Sequence, residues 1–135
     1  MPILVDTSVW SLLLRRKQTN QDKPLLLLLK DLLQEGVRIW LIGPVIQELL
    51  DGLKSQEQFD KLEDYLGLFG MIDLTRSDYV EAARMRNYCR SKGVQASPVD
   101  FIIARACLAK NLELLTADKD FQYISQHIPL KLASP

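Results

Sequence analysis

Residues 3–10, which read ILVDTSVW, set the fold class of this chain. The apolar run from Ile3 to Val5 is too short for a helix and contains β-branched residues, which is typical of a buried strand in a parallel sheet. Asp6 then lies at the carboxyl end of that strand, where open α/β sheets place their ligands. Burying a carboxylate costs free energy unless a cation or hydrogen-bond donors compensate it. Further acidic residues at the same sheet edge would therefore indicate a cation site.

The composition predicts one cytoplasmic domain over residues 1–135, with no signal peptide and no membrane span. The 17 basic and 17 acidic side chains balance, so only local patches of charge would favour nucleic acid. Cys89 and Cys107 lack metal-type spacing and are interpreted as reduced core residues of an intracellular protein. The single histidine, His127, argues against a histidine metal site and against a Ser/His triad.

Strand-like and helix-like segments alternate along the chain, which predicts an α/β fold with a parallel sheet flanked by helices. We expect about five strands: from Ile3 to Val5, Val37 to Ile42, Gly70 to Leu74, Glu113 to Leu115, and a final one near Leu130 to Leu132. The longer expected helices run from Pro24 to Leu33, Pro44 to Leu53, Gln56 to Leu68, Ser77 to Lys92 and Pro98 to Lys110. A short last helix is expected from Asp120 to Gln126.

Four acidic residues follow the predicted strands or begin the next helices. Asp6 and Asp118 each come directly after a strand. Glu48 lies one turn into the helix after the second strand, and Asp100 lies at the inward-facing start of a helix that is apolar almost all round. Independent capping explains this repeated placement poorly. We therefore predict that the four carboxylates share one site.

Each of these acids also has an ordinary structural explanation. Glu48, taken alone, is a solvated helical glutamate. Asp100 fits a capping box with Ser97, and the positive end of the helix favours its charge regardless of function. Asp118 or Asp120 would cap the short helix that follows them. For Asp100 and Asp120, the cap and the site explain the sequence about equally well.

Clustered carboxylates without histidine or cysteine partners suit a hard cation bound through oxygen, chiefly Mg²⁺ or Mn²⁺. Without such a cation, mutual repulsion would force some of them to take up protons. One or two ions of this kind can activate a water and stabilise the leaving oxygen in phosphodiester hydrolysis. The hydroxyls of Thr7, Ser8 and Thr116 are placed to orient the carboxylates or waters from behind.

At these residues the chain resembles the PIN-domain nucleases, and within them the VapC-type toxins of bacterial and archaeal toxin–antitoxin pairs. The shared motifs are DTSVW at residues 6–10, QEL at 47–49, Asp100 with the helix after it, and LTADKDF at 115–121. The resemblance covers the whole chain and implies a three-layer α/β/α fold. It also implies a metal-dependent RNA endonuclease, a homodimer, and a small antitoxin that covers the site. The implied catalytic and metal-binding quartet is Asp6, Glu48, Asp100 and Asp118, with Asp120 as an accessory ligand.

Positive charge near an acidic site would help to hold the phosphates of RNA. Arg15 and Arg16, which follow the first short helix, are the predicted RNA contacts. The basic residues of the long helix are interpreted as solvated helix charges: Arg84, Arg86, Arg90 and Lys92. The leucine-rich helical pair from Pro44 to Leu68 would suit antitoxin docking, but core packing explains the same residues.

Two other functions stay open from the sequence. A PIN-like fold can serve as a catalytically silent interaction or assembly module, or the nuclease can be directed at DNA. Two phosphoaspartyl classes fit less well. A haloacid-dehalogenase enzyme needs a second acid where this chain has Ser8, and a response-regulator receiver needs an acidic pair where only Asp6 is present.

Overall fold

The computed structural model describes residues 1–14 and 19–134. Arg15 and Arg16, the predicted RNA contacts, lie outside the described residues. Strands and helices alternate along the rest of the chain, as the sequence predicts. Within the described ranges, no helix is both long enough and apolar enough to cross a membrane.

A parallel sheet of four strands lies at the centre of the fold. The strands are β1 (Ile3–Val5), β2 (Ile39–Ile42), β3 (Gly70–Ile72) and β4 (Glu113–Leu115), in the order β3-β2-β1-β4. β1 is an inner strand that pairs with both β2 and β4. All its residues are buried, which explains why it is continuously apolar instead of alternating. Since β1 and β4 are parallel neighbours, the residues that follow them emerge at the same sheet edge.

The fifth strand expected from Leu130 to Leu132 does not form in the described chain, so the sheet has four strands instead of about five. Only an isolated parallel bridge joins Leu132 to Leu114. Immediately before it, the amide of Leu130 donates to the carbonyl oxygen of Ile128 at 2.7 Å. After this tight turn, two backbone hydrogen bonds join the segment to β4: the amide of Leu114 donates to the carbonyl oxygen of Lys131 at 2.9 Å, and the amide of Ala133 donates to that of Leu114 at 2.8 Å.

Seven helices lie among the described residues. They are α1 (Thr7–Leu14), α2 (Lys23–Gln34), α3 (Gly43–Leu50), α4 (Gln56–Leu66), α5 (Arg76–Ser91), α6 (Pro98–Lys110) and α7 (Asp120–Ser125). Their ends differ from the predicted ends by a few residues, as expected for helix boundaries. α3 and α6 each carry a proline in the first turn, where the missing amide hydrogen costs nothing.

The helices pack in two groups. α1 packs against α2 and α3, and α3 packs against α4, whereas α5 packs against α6. These groups cover the sheet in the three-layer α/β/α arrangement that the resemblance implied, so the predicted fold class is confirmed.

Trp10 fixes the turn from β1 into α1. Its indole Nε1 donates a hydrogen bond to the carbonyl oxygen of Val5 at 3.1 Å. The ring packs edge-on against Tyr65 at 6.1 Å between ring centres and lies tilted against Phe69 at 5.2 Å. The turn that carries Asp6 is therefore anchored in the core on the side of α4.

The leucine-rich pair of α3 and α4 contributes mainly to the core. Leu49, Leu62 and Leu66 are all buried. Leu68, which follows α4, is 77% exposed. Core packing therefore accounts for most of the leucines between Pro44 and Leu68.

Candidate functional site

Asp6 lies directly after β1 and is only 4% exposed. Its backbone amide continues the ladder between β1 and β4 by donating to the carbonyl oxygen of Leu115 at 3.1 Å. Its side chain caps α1, because Oδ1 accepts a hydrogen bond from the amide of Ser8 at 2.8 Å. The same oxygen accepts a hydrogen bond from the Ser8 hydroxyl. The carboxylate that ends the first strand therefore also begins the first helix.

Thr116 brings the end of β4 to the same carboxylate. Its hydroxyl donates to Oδ2 of Asp6 at 2.7 Å and accepts from the amide of Asp118 at 3.0 Å. The Ser8 hydroxyl lies 3.3 Å from the Thr116 hydroxyl and accepts from the amide of Ala117 at 2.9 Å. Ser8 and Thr116 thus both contact Asp6 and connect it to the segment after β4.

Thr7 is placed differently from the other two hydroxyl residues. Its Oγ1 is buried and has no hydrogen-bond partner in the described part of the chain. The role of orienting a carboxylate or a water therefore stays a prediction for Thr7, without a contact to support it.

Burial dominates the electrostatics around Asp6. It raises the pKa of the Asp6 carboxyl above its ordinary value, and the hydrogen bonds from Ser8 and Thr116 offset only part of this effect. Burial, and secondly the negative charge of Asp6, raise the pKa of the Cys107 thiol to about 12. Cys107 is therefore a protonated core residue at neutral pH, in agreement with its interpretation from the sequence.

Three carboxylates from two parts of the chain meet at this edge of the sheet. Asp100, Asp118 and Asp120 each offer one carboxylate oxygen, and these oxygens lie within 4.8 Å of one another. All three residues are half-buried. Asp100 comes from the first turn of α6, whereas Asp118 precedes α7 and Asp120 begins it. Asp120, expected only as an accessory ligand, is placed in the same group as the other two.

The capping box expected for Asp100 is present together with the group, whereas the N-cap of α7, Lys119, makes no side-chain capping contact. Oδ2 of Asp100 accepts from the amide of Ser97 at 3.0 Å, and Oγ of Ser97 accepts from the amide of Asp100 at 3.2 Å. Oδ1 of Asp118 accepts from the amide of Asp120 at 2.9 Å. Each of these contacts occupies one carboxylate oxygen and leaves the other oxygen available. Cap and site are therefore compatible, and neither excludes the other.

The carboxylates of this group act on one another electrostatically. Burial raises the pKa of the Asp100 carboxyl, and the negative charges of Asp118 and Asp120 raise it further, against the opposing hydrogen bonds from Ser97. A divalent cation would relieve this repulsion. Carboxylate oxygens without nitrogen or sulfur donors fit Mg²⁺ or Mn²⁺, so the residues present suit such an ion.

The other two members of the predicted quartet lie outside this close group. Asp6 is connected to it indirectly, through the hydroxyl of Thr116 and the amide of Asp118. Glu48 is exposed on α3. The structure thus brings three of the five predicted acidic ligands together, connects Asp6 to them by hydrogen bonds, and leaves Glu48 apart from the network.

The comparisons with known proteins agree with this fold. The sequence profile of the PIN domain family matches residues 3–126, which is nearly the whole chain. The comparison with curated proteins gave no match.

Several solved structures have a similar fold. VapBC-1 from nontypeable Haemophilus influenzae has a TM-score of 0.75 and 22% identity, covering 99% of this chain and 98% of that chain. A toxin-antitoxin complex from Klebsiella pneumoniae has a TM-score of 0.66 and 19% identity, covering 97% and 96%. VapC20 from Mycobacterium tuberculosis, described as a sarcin-ricin loop cleaving toxin, has a TM-score of 0.71 and 16% identity, covering 98% and 99%.

Proposed function

The chain belongs to the PIN domain family, and on that premise we propose that it is a Mg²⁺- or Mn²⁺-dependent endoribonuclease, the toxin of a toxin–antitoxin pair. The observation that carries this proposal is the group of Asp100, Asp118 and Asp120, whose carboxylate oxygens lie within 4.8 Å of one another. Capping accounts for the placement of Asp100 alone among these three aspartates. It does not explain why carboxylates from the starts of α6 and α7 converge against their mutual repulsion.

In this proposal Asp100, Asp118 and Asp120 hold the cation. A divalent cation at that position would lower the pKa of a water ligand and neutralise charge on the scissile phosphate. The available second oxygens of Asp100 and Asp118 support this assignment, because the hydrogen bonds from the amides of Ser97 and Asp120 use only one oxygen each.

Asp6 and Glu48 stay in the proposed catalytic set on the strength of the family resemblance. Asp6 has its two carboxylate oxygens held by Ser8 and Thr116, and it therefore positions Asp118 through the Thr116 hydroxyl. Glu48 is exposed, so its carboxylate is accessible to orient a water or to accept a proton from it.

The partners are also part of the proposal. RNA as the substrate and a homodimer follow from the resemblance to VapC-type toxins. A small antitoxin that covers the acidic group is supported by the similar fold of the toxin-antitoxin complex from Klebsiella pneumoniae.

Cleavage of total cellular RNA by the purified protein tests the proposal. We expect cutting in Mg²⁺ or Mn²⁺ by the wild type and by the surface variant Arg84→Gln, and none by Asp118→Asn. Cleavage of DNA alone would assign the protein to DNA-directed nucleases. A wild type that binds Mn²⁺ through the acidic group but cuts neither nucleic acid would identify a silent module, and would contradict the proposed activity.

A further inference from the structure

We propose that a groove beside the acidic group holds the strand of RNA adjacent to the cleaved bond. The groove lies between α7 and the segment that joins α5 to α6. Arg86, Arg90 and Lys92 contact phosphates of this strand, and the ring of Tyr123 stacks on one of its bases. The inference rests on the proposed function, because it takes RNA as the substrate. It assigns a role to basic residues that the sequence alone presents as solvated helix charges.

The larger part of the groove begins at the acidic group itself. It is a cavity of about 390 Å³ whose lining includes Asp120, Lys92 and Tyr123. A ligand in this cavity would lie against a member of the carboxylate group and against a cation at once. The phosphodiester backbone fits both, since a bound divalent cation would attract a phosphate at the acidic end and lysine would attract the next.

The smaller part of the groove continues towards α5. It is a cavity of about 210 Å³ lined by Arg86 and Arg90. Val94 and Gln95 line both cavities, so the two adjoin at these residues. Together they lead from Asp120 to the two arginines.

Arg86 provides a fixed positive charge in this smaller cavity. Its Nε donates to the carbonyl oxygen of Ala96 at 3.2 Å, and the residue is half-buried. Among residues 1–14 and 19–134 its guanidinium makes no other hydrogen bond, so the remaining N–H donors can serve another partner. A guanidinium held in one orientation is well suited to bind a phosphate through two of those donors.

The cations of the groove are not neutralised by carboxylates. By contrast, other arginines of α5 and α6 form ion pairs: Arg84 pairs with Glu81 at 3.4 Å, and Arg105 pairs with Asp78 at 3.0 Å. Within residues 1–14 and 19–134, no carboxylate forms an ion pair with a cation of the groove, whose members are Arg86, Arg90 and Lys92. The positive charge of the groove is therefore available to an anionic ligand.

An exposed aromatic ring in the groove favours RNA over an acidic protein segment as this ligand. The ring of Tyr123 is 52% exposed, and an exposed aromatic ring beside a cationic groove is a stacking platform for single-stranded bases.

Binding of a fluorescent single-stranded RNA of about ten nucleotides tests the groove. All proteins carry Asp118→Asn, so that nothing is cut, and affinity is measured by anisotropy over a range of salt concentrations. The double variant Arg90→Gln/Lys92→Gln should weaken binding about tenfold and lower the salt slope by about 1.4, which corresponds to two phosphate contacts.

The matched control is Arg84→Gln/Lys110→Gln, which removes the same charge from exposed positions outside the groove. It should stay within about twofold of the parent protein. Tyr123→Ala should weaken binding about tenfold with an unchanged salt slope, because stacking involves no counterions. Tyr79→Ala, which removes a similarly exposed ring from α5, is its control and should have no effect.

Equal losses in the two double variants would show that only net charge matters, and would overturn the inference. Unchanged RNA affinity in the groove variants would overturn it as well. If these variants instead selectively lost binding to a polyglutamate peptide, the groove would be assigned to an acidic protein segment. These results are separable from the proposed function, because binding in the Asp118→Asn background needs no cleavage. If the wild type cuts no RNA but the groove variants selectively lose affinity for RNA, the proposed nuclease activity is contradicted and the proposed RNA-binding groove is supported.

Discussion

Oγ1 of Thr116 donates a hydrogen bond to Oδ2 of Asp6 at 2.7 Å, although 110 positions separate the two residues in the chain. The sheet register explains this contact: Val5 pairs with Leu115, so the next residue of each strand emerges beside the other. Because the Asp6 carboxylate is buried, the bond offsets part of the cost of its burial. The same hydroxyl also holds the amide of Asp118, and it therefore connects the first strand to the acidic group.

Thr116→Val removes this hydroxyl while keeping the shape of the side chain. We expect the free energy of unfolding to fall by about 1–3 kcal/mol, because a buried carboxylate loses a donor. Cleavage should fall about 10- to 100-fold, because the positioning of Asp118 is lost. Urea denaturation and initial cleavage rates measure the two effects. Thr7→Val is the matched control: its hydroxyl is buried without a partner, so its removal should be neutral or stabilising. Equal destabilisation by both variants would show that the hydrogen bond from Thr116 to Asp6 makes no particular contribution to the free energy of unfolding.

The acidic group should behave as a single unit. We expect Asp100→Asn and Asp118→Asn each to lower cleavage by at least about a thousandfold, and the double variant to add little, because either change already disables the shared cation. Asp120→Asn should fall in the same range, since its carboxylate lies within 4.8 Å of the other two. Asp64→Asn, at an exposed position on α4, is the control. Single-turnover kinetics decide the matter, and wild-type rates in both single variants would rule out the shared site.

The sequence predicts the local structure well wherever several signals coincide. The capping box of Ser97 and Asp100, with the proline between them, predicts the start of α6, and the structure places it there. The continuous apolar run from Ile3 to Val5 predicts an inner parallel strand, and β1 has neighbours on both sides. These features depend on residues within one turn or one strand, so the sequence contains them.

The spatial details of the site depend on packing that no local pattern encodes. The segment near Leu132 is apolar like a strand, but it joins β4 through a single bridge that follows a tight turn. Asp120 joins the acidic group because of a turn in which its amide donates a hydrogen bond to Asp118. The spacing of the two residues in the sequence does not determine where the Asp120 carboxylate points. In the sequence, the basic residues of the groove resemble ordinary exposed charges on a helix. Their relation to the acidic group becomes visible only in the structure, where the two cavities share part of their lining.

Metal and pH should change the stability of the protein together. Burial raises the pKa values of Asp6 and Asp100, so the folded state binds protons more tightly than the unfolded chain. Without metal, stability should therefore fall as pH rises above the unfolded-chain value of about 3.9, and the loss should be complete once the pH exceeds the raised values.

Mg²⁺ should reverse this loss at neutral pH by about 2.7 kcal/mol at a hundredfold excess over its dissociation constant. Melting curves in EDTA and in Mg²⁺, at mildly acidic and at neutral pH, measure the effect. Asp100→Asn should raise the metal-free melting temperature at neutral pH and reduce the response to the ion, whereas Asp64→Asn should do neither. A wild type whose melting is indifferent to millimolar divalent cations would contradict the proposed site.

Gly70→Ala should destabilise the fold at β3, the edge strand opposite β4. A Cβ at Gly70 would lie 2.7 Å from two carbon atoms of the Trp40 ring, so β3 or the indole must shift. We expect a loss of about 1–3 kcal/mol in the free energy of unfolding, measured by urea denaturation. Gly43→Ala is the control, because its Cβ would meet only the tip of Met71 at 3.8 Å, an ordinary contact. Equal stability of the two variants would show that the ring yields without cost.

The products of cleavage should carry a 5′-phosphate and a 3′-hydroxyl. If water attacks phosphorus, the 3′-oxygen leaves with a proton and the ribose 2′-hydroxyl takes no part in the reaction. The alternative, attack by the 2′-hydroxyl, uses a general base and a general acid, often a pair of histidines. His127 is the single histidine of the chain, and although it lines the same cavity as Asp120, one subunit cannot supply such a pair. EDTA should stop the reaction, and a substrate with a 2′-deoxy sugar at the scissile position should still be cut. End-group analysis by mass spectrometry tests this directly, since a 2′,3′-cyclic phosphate would show that the 2′-hydroxyl is the nucleophile.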